Sequence, residues 1–81
     1  MKYLLFTTQT CPNCPSMKEF MKDVNLKGEF IDASTDDGLK KAVSFGVSSV
    51  PTVIFLDEKD KVLSEAHNIT DAKNIIDANK N

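Results

Sequence analysis

The sequence lacks the features that would direct a protein to a membrane or to nucleic acid. Its longest apolar run is short, Val53–Leu56, whereas a membrane-spanning helix needs about 20 apolar residues. Lysines occur singly or in one pair, Lys40–Lys41, so there is no basic cluster of the kind that binds nucleic acid or anionic lipid. With a net charge of −2 at pH 7, these absences predict that neither a membrane nor nucleic acid is a partner.

The N-terminal apolar stretch is too short for a secretion signal. It covers Tyr3–Phe6 and ends at Thr7, while the apolar region of a signal peptide has about 7–15 residues. We therefore expect a cytoplasmic protein. No repeat, linker or low-complexity segment interrupts the 81 residues, so a single domain over residues 1–81 is predicted. A monomer is expected, because the sequence shows no large unexplained apolar patch.

Cysteine and histidine are scarce, which limits the chemistry open to the chain. There are two cysteines, Cys11 and Cys14, and one histidine, His67. A structural zinc site needs four ligands, so a metal-binding or interaction module remains a minor alternative, as do two unrelated buried thiols. In a cytoplasmic protein, a Cys-x-x-Cys pair is more often catalytic or metal-binding than a permanent crosslink.

Apolar patterning predicts four strands and a first helix. Continuous apolarity over Tyr3–Thr7 is typical of a central strand covered on both faces. Further strands are predicted at Glu29–Ala33, Thr52–Leu56 and Val62–Ala66, the last two as an antiparallel hairpin. Apolar residues at helical spacing indicate a helix from about Pro12 to Val24.

Two further helices complete the predicted fold. Ser34 or Thr35 is expected to cap the second helix, which ends at Gly46, and Thr70 is expected to cap the third. Their buried faces are predicted to comprise Leu39, Ala42 and Val43 in the second helix and Ala72, Ile75 and Ile76 in the third. The order β-α-β-α-β-β-α predicts an α/β fold in which a four-stranded mixed sheet lies between helices, as a three-layer sandwich.

The cysteine pair lies where the first predicted strand passes into the first helix. Pro12 suits the first helical position, which places Cys11 at or near the N-cap. Free backbone N–H groups and the helix dipole favour an anion there, so we expect a lowered thiol pKa and a nucleophilic role for Cys11. Cys14, one turn later, is expected to be more buried and to resolve a mixed disulfide on Cys11.

Four further residues have smaller expected roles. Asn13 offers an amide dipole and no proton, so it is expected to tune the cysteine pair together with Pro12. Pro15 is expected near the fourth helical position, where it would remove a hydrogen bond to the Cys11 carbonyl. His67 follows the fourth predicted strand, and two roles stay open for it: an exposed loop residue or a proton carrier.

Cys11-Pro12-Asn13-Cys14, the segment Val50-Pro51-Thr52 and the order of elements together resemble the thioredoxin/glutaredoxin superfamily. The resemblance covers nearly the whole chain and implies a thiol–disulfide oxidoreductase. It implies a cis Val50–Pro51 bond beside the cysteines and substrate pairing through the backbone of Val50. It also implies that the redox-active group is a Cys11–Cys14 disulfide and that no cofactor is bound.

The resemblance does not select one branch of this superfamily. The Cys-Pro-x-Cys motif and the short chain resemble glutaredoxins, whereas Phe45–Thr52 resembles thioredoxins. Glutathione-dependent glutaredoxins carry a Gly-Gly pair where this chain has Ala66–Ile69. Thioredoxins have a tryptophan at the position of Thr10, which is therefore expected to contact substrate, and a buried acid at the position of Leu5.

Small archaeal-type and ribonucleotide-reductase-serving redoxins show the same hybrid of a glutaredoxin-sized body with thioredoxin behaviour. This resemblance implies an enzyme that reduces disulfides in protein substrates. The implied electron donor is a flavoprotein thioredoxin reductase, and glutathione, as in a glutaredoxin, is the alternative.

Overall fold

The computed structural model describes residues 1–79, and its strands and helices follow in the predicted order. The strands are β1 (Lys2–Thr7), β2 (Lys27–Asp32), β3 (Thr52–Leu56) and β4 (Val62–Ala66), and the helices are α1 (Cys14–Lys22), α2 (Asp36–Ser44) and α3 (Ile69–Ala78). The predicted bounds of β3 and β4 are correct, whereas β1 and β2 begin earlier than predicted. The predicted domain includes residues 80 and 81, which lie outside the described range.

The four strands form one mixed sheet in the order β2-β1-β3-β4. Strand β1 is parallel to β2 and antiparallel to β3, and β3 is antiparallel to β4. Because β1 and β3 run in opposite directions, Phe6 near the end of β1 pairs with Thr52 at the start of β3. The segment after β1 and the segment before β3 therefore meet at the same edge of the sheet.

Helices cover both faces of the sheet, so the predicted three-layer sandwich is confirmed. Helices α1 and α3 pack on one face, in a core formed by Tyr3, Leu5, Met17, Met21, Val53, Phe55, Ala66 and Ala72. Helix α2 packs on the other face, in a core formed by Leu4, Phe6, Ala42, Ile54 and Leu56. Within residues 1–79, no helix combines the length and the apolarity that crossing a bilayer requires.

Helix α2 contacts the rest of the protein through its smallest residues. Ala42 is buried, but Leu39 and Val43 are 54% and 69% exposed, so the prediction that both lie in the core is wrong. Gly38 explains the difference, since a Cβ there would lie 1.9 Å from the backbone oxygen of Asp32. Gly38 and Ala42, four residues apart, form the close-packed face, and Leu39 and Val43 are turned away from it.

The ends of α2 are held by local hydrogen bonds. Thr35, rather than Ser34, is the N-cap, and its hydroxyl oxygen accepts from the Gly38 N–H at 3.0 Å. At the other end, the Gly46 N–H donates to Val43 and the Val47 N–H donates to Ala42. This is a Schellman motif, and Gly46, with φ of 71°, has the left-handed backbone that the motif requires.

Helix α3 begins at Ile69, before the predicted cap at Thr70. Asn68 is the N-cap, and its side-chain oxygen accepts from the Asp71 N–H at 2.7 Å. The backbone of Asn68 is extended, which is the geometry that lets a capping side chain reach the third helical residue. Thr70 lies one residue inside the helix, so the prediction that it is the cap is wrong.

Candidate active site

Helix α1 begins at Cys14, later than predicted, with Asn13 as N-cap and Pro15 in the first turn. If Cys11 were the N-cap, the Pro15 ring would clash with the Cys11 carbonyl and leave it without a helical donor. With Asn13 as N-cap, Pro15 is the second helical residue, whose N–H has no helical partner in any case. The predictions of a helix from Pro12, a cap at Cys11 and a hydrogen bond lost at Pro15 are therefore wrong.

Cys11 and Cys14 are joined by a disulfide, with 5.4 Å between their Cα atoms. Cys11 lies in the turn before α1, where its N–H donates to the Thr8 carbonyl at 3.4 Å. Cys14 is 2% exposed, whereas Cys11 is only partly buried. This order of burial is the predicted one, and it leaves Cys11 as the sulfur that a substrate reaches more easily.

A proline lies directly before β3, at the edge of the sheet where the segment after β1 also lies. The Val50–Pro51 peptide bond is cis, and Pro51 is buried while Val50 is partly buried. Pro51 borders a cleft of about 300 Å³ whose lining combines α1, the Pro51 segment and the start of α3: Asn13, Ser16, Met17, Pro51, His67, Asn68, Ile69 and Thr70. The fold thus brings Asn13, Pro51 and His67 around one opening. Thr10 and Pro12 are exposed in the turn before α1 and are not among the residues that line this cleft.

Directly after Pro51, Thr52 connects two segments through its hydroxyl group. Thr52 is fully buried, and its Oγ1 lies 2.7 Å from the Ser49 carbonyl oxygen and 3.1 Å from His67 Nδ1. The other ring nitrogen of His67, Nε2, lies 3.6 Å from Glu65 Oε1. Sequence reasoning missed Thr52 as a site residue, because nothing local in the sequence links it to a histidine after the next strand.

The segments around the disulfide carry almost no charge. Residues 7–17, 42–56 and 66–70 contain no Asp, Glu, Lys or Arg. At the same edge, Asp32 ends β2, and hydrogen bonds from the Ser34 hydroxyl and backbone N–H lower the pKa of the Asp32 carboxyl below its usual range. Among residues 1–79, no group of three or more His, Cys, Asp or Glu side chains is arranged to hold a metal ion.

The sequence matches the model of a known protein family. The sequence model of the glutaredoxin family matches residues 4–60, a stretch that begins within β1 and includes the cysteine pair, α1, β2, α2, the cis-proline and β3. A curated relative, described as a probable thioredoxin from Archaeoglobus fulgidus, is 34% identical over 58 residues. The matched part spans 67% of this chain and 64% of the relative, so the chain corresponds to less than two thirds of that protein's length.

Solved structures give the same fold. Thioredoxin O2 from Arabidopsis thaliana, in its oxidised state, superposes with a TM-score of 0.82 over 99% of this chain and 75% of its own, at 16% identity. A chain from the complex of ferredoxin:thioredoxin reductase with thioredoxin f2 superposes with a TM-score of 0.76 over 95% of this chain and 74% of its own, at 26% identity. The protein has the thioredoxin fold, and its chain belongs to the glutaredoxin family.

Proposed function

We propose that the protein is a thiol–disulfide oxidoreductase that reduces disulfides in protein substrates, with Cys11 as nucleophile and Cys14 as resolving residue. The observation that carries this proposal is the Cys11–Cys14 disulfide at the β1–α1 junction, at the same edge of the sheet as the cis Val50–Pro51 bond. The described state corresponds to the oxidised enzyme. Family membership supports the thiol–disulfide chemistry, and the deeper burial of Cys14 than of Cys11 supports the division of roles.

The proposed reaction transfers two electrons from the reduced protein to the substrate. The Cys11 thiolate attacks one sulfur of the substrate disulfide, forming a Cys11–substrate disulfide and releasing the other sulfur as a thiolate. The Cys14 thiolate then attacks the Cys11 sulfur, which forms the Cys11–Cys14 disulfide and releases the second substrate sulfur. Two protons end on the substrate thiols, and the protein needs a reductant before it can react again.

The first turn of α1 supports a reactive thiolate at Cys11, although the cap is at Asn13. Asn13 makes no side-chain capping bond, so the N–H groups of the first turn are not consumed by a side chain. Helix N-termini favour a nearby anion. We propose that these groups stabilise the thiolate of the reduced pair, with Asn13 and Pro12 tuning its environment.

The cleft favours a thioredoxin-like electron donor over glutathione. Glutathione carries two carboxylates, yet none of the residues that line the cleft is a lysine or arginine. The start of α3 is also occupied, since Asn68 Oδ1 accepts from the Asp71 N–H and Asn68 Nδ2 lies 3.2 Å from the Asp71 carboxylate. A glutathione carboxylate at the start of α3 would find the Asp71 N–H already bonded and would be repelled by the Asp71 carboxylate. We therefore propose a flavoprotein thioredoxin reductase as the electron donor.

Reduction of insulin disulfides in the presence of dithiothreitol tests the proposed activity. We expect the wild-type protein to accelerate insulin precipitation and Cys11→Ser to fall to the rate of dithiothreitol alone. Equal rates for the two proteins would contradict the proposal.

The electron donor is tested separately, by NADPH consumption with thioredoxin reductase and with glutathione plus glutathione reductase. Turnover with glutathione alone would reverse our choice of donor.

We further propose that the cysteine pair works without a bound cofactor, in the cytoplasm, and as a monomer. Disulfide exchange requires only the two sulfurs of each partner, which supports the first point. Insulin reduction by protein dialysed against a metal chelator tests it, and an unchanged rate is expected. Sedimentation equilibrium tests the monomer, with the mass of 9.0 kDa expected for the reduced and oxidised protein alike.

A further inference from the structure

One hydroxyl group joins the two segments that border the cleft. Thr52 Oγ1 is within hydrogen-bond distance of both the Ser49 carbonyl oxygen and His67 Nδ1. The hydroxyl has one proton, and a carbonyl oxygen can only accept. Thr52 must therefore donate to Ser49 and accept from His67, because otherwise two acceptors would face each other at 2.7 Å. This chain of bonds requires a proton on Nδ1 of His67.

The requirement holds whether His67 is neutral or charged. A neutral imidazole with its proton on Nδ1 and an imidazolium both donate from that nitrogen. The proton is gained or lost at Nε2, which lies 3.6 Å from Glu65 Oε1. Glu65 on β4 is the charged side chain that faces the ring, since the cleft lining contributed by α1, the Pro51 segment and α3 is uncharged. The bond to Thr52 is therefore compatible with both protonation states of the ring.

We propose that His67 is a positioning residue that holds the segment before cis Pro51 in its substrate-binding geometry by way of Thr52. The bonded carbonyl belongs to Ser49, directly before Val50, the residue whose backbone the family resemblance assigns to substrate pairing. The position of the Ser49 carbonyl and the adjoining Val50 backbone therefore affects how tightly a substrate chain is bound. It does not determine whether sulfur exchange occurs. The catalytic consequence rests on the function proposed above, whereas the positioning itself is a property of the folded protein.

Two substitutions that introduce amide side chains distinguish the roles of the two ring nitrogens of His67. The amide nitrogen of Asn in His67→Asn falls close to the place of Nδ1, and that of Gln in His67→Gln falls closer to Nε2. We expect His67→Gln and His67→Ala to raise KM for insulin about three- to ten-fold, the range of one lost hydrogen bond, with kcat within about two-fold. His67→Asn is expected to stay near wild type in both constants. Thr52→Val should raise KM for insulin by about the same factor as His67→Ala. The double variant that combines Thr52→Val with His67→Ala should raise KM no further than either single variant.

Nuclear magnetic resonance tests the positioning without an activity assay. Imidazole ¹⁵N shifts of the wild type should show the proton on Nδ1 above the titration range of histidine. Amide hydrogens of residues 48–50 should exchange faster in His67→Gln than in His67→Asn. A proton on Nε2, or equal exchange in the two variants, would overturn the proposal. So would a fall in kcat and a lost limb of the pH–rate profile in His67→Asn, which would make His67 a proton carrier.

The two proposals fail in different ways. If the wild-type protein does not reduce insulin, the proposed function is wrong, but the tautomer and the exchange rates still decide whether His67 positions the loop. If insulin is reduced and His67→Asn behaves like His67→Gln, the function stands and the positioning role is wrong.

Discussion

The two ends of the sheet differ in how they use charge. At the disulfide end, the cysteine turn, the cis-proline segment and the start of α3 present amides, hydroxyls and apolar side chains. At the opposite end, a cleft of about 490 Å³ is lined by charged residues, among them Lys2, Lys27, Glu29, Lys41 and Asp60. The two clefts are thus chemically unlike.

The charges at the far end are largely paired with each other. Lys2 contacts Asp60, and Lys41 lies 3.6 Å from Glu29. Such exposed pairs contribute little to stability, but they keep the surface hydrated. The disulfide end carries almost no such pairs, so a partner can cover it without stripping water from ions. For the function proposed above, we therefore expect substrate recognition to rely on shape and hydrogen bonds.

The largest expected effect is loss of the resolving thiol. In Cys14→Ser, the Cys11 thiolate still attacks a substrate disulfide, but no second thiolate follows, so a Cys11–substrate adduct should accumulate. Mass spectrometry under non-reducing conditions measures it. Cys11→Ser is the control and should form no adduct through the buried Cys14. An adduct of similar yield in both variants would contradict the assigned roles.

Placing a charge on the uncharged face should weaken substrate binding. Ser49→Asp adds a carboxylate beside Val50, and covering an unpaired charge should raise KM for insulin about ten-fold. Asn25→Asp makes the same change in net charge beside Lys2 and Lys27 at the far end and should leave KM within about two-fold. Equal increases in the two variants would mean that net charge, rather than its location, matters.

At the charged end, a buried contact should matter more than the ion pairs around it. The Tyr3 hydroxyl donates to the Met21 carbonyl at 3.3 Å, and burial raises the Tyr3 pKa. Tyr3→Phe should lower the free energy of unfolding by about 1 kcal/mol at neutral pH, measured by urea denaturation.

The same residue predicts a pH dependence. Because the folded protein holds the phenol neutral, its contribution is complete below about pH 10, where an exposed tyrosine ionises, and is lost as pH rises through the higher folded pKa. The stability difference between wild type and Tyr3→Phe should therefore shrink in alkali. A difference that is constant from pH 7 to pH 11 would argue against a buried phenol.

The smallest expected effect is removal of the exposed pair between Lys2 and Asp60. Lys2→Ala should shift Tm by no more than about 2 °C, and added salt should reduce even that difference. Insulin reduction should be unchanged, since the pair lies at the end of the sheet opposite the disulfide. A large loss of activity in Lys2→Ala would contradict the expectation that the charged end of the sheet takes no part in insulin reduction.

Much of the fold was readable from patterns that burial and turns impose on a sequence. Continuous apolarity indicates that β1 is a central strand, and Gly46 is the glycine expected at the end of α2. The start of α1 was misplaced because Pro12 and Pro15 both suit the beginning of a helix. Only the steric conflict between the Pro15 ring and an earlier carbonyl decides between them.

Other features depend on contacts that periodicity does not describe. The apolar residues Leu39 and Val43 have helical spacing, which predicts that they are buried. The close approach of Gly38 to Asp32 instead orients α2 so that its small residues pack against the rest of the protein, and Leu39 and Val43 are exposed. The bond between Thr52 and His67 joins the start of β3 to the end of β4, so it exists only after the hairpin has formed. The cysteine motif itself was local in sequence, and for that reason it was found first.

The turn that joins β3 to β4 has a consequence for engineering. Asp57 holds it together by accepting from the N–H groups of Lys59 and Lys61, and Asp60 has φ of 63°. Since the strands on either side carry the Pro51 and His67 segments at their other ends, the turn is the part of the hairpin farthest along the chain from both. Exposed turns of this kind tolerate insertions and new chain termini. A peptide tag or a circular permutation between Lys59 and Asp60 would leave the end of the sheet with the Cys11–Cys14 disulfide uncovered. The protein could then be immobilised through this turn in a defined orientation.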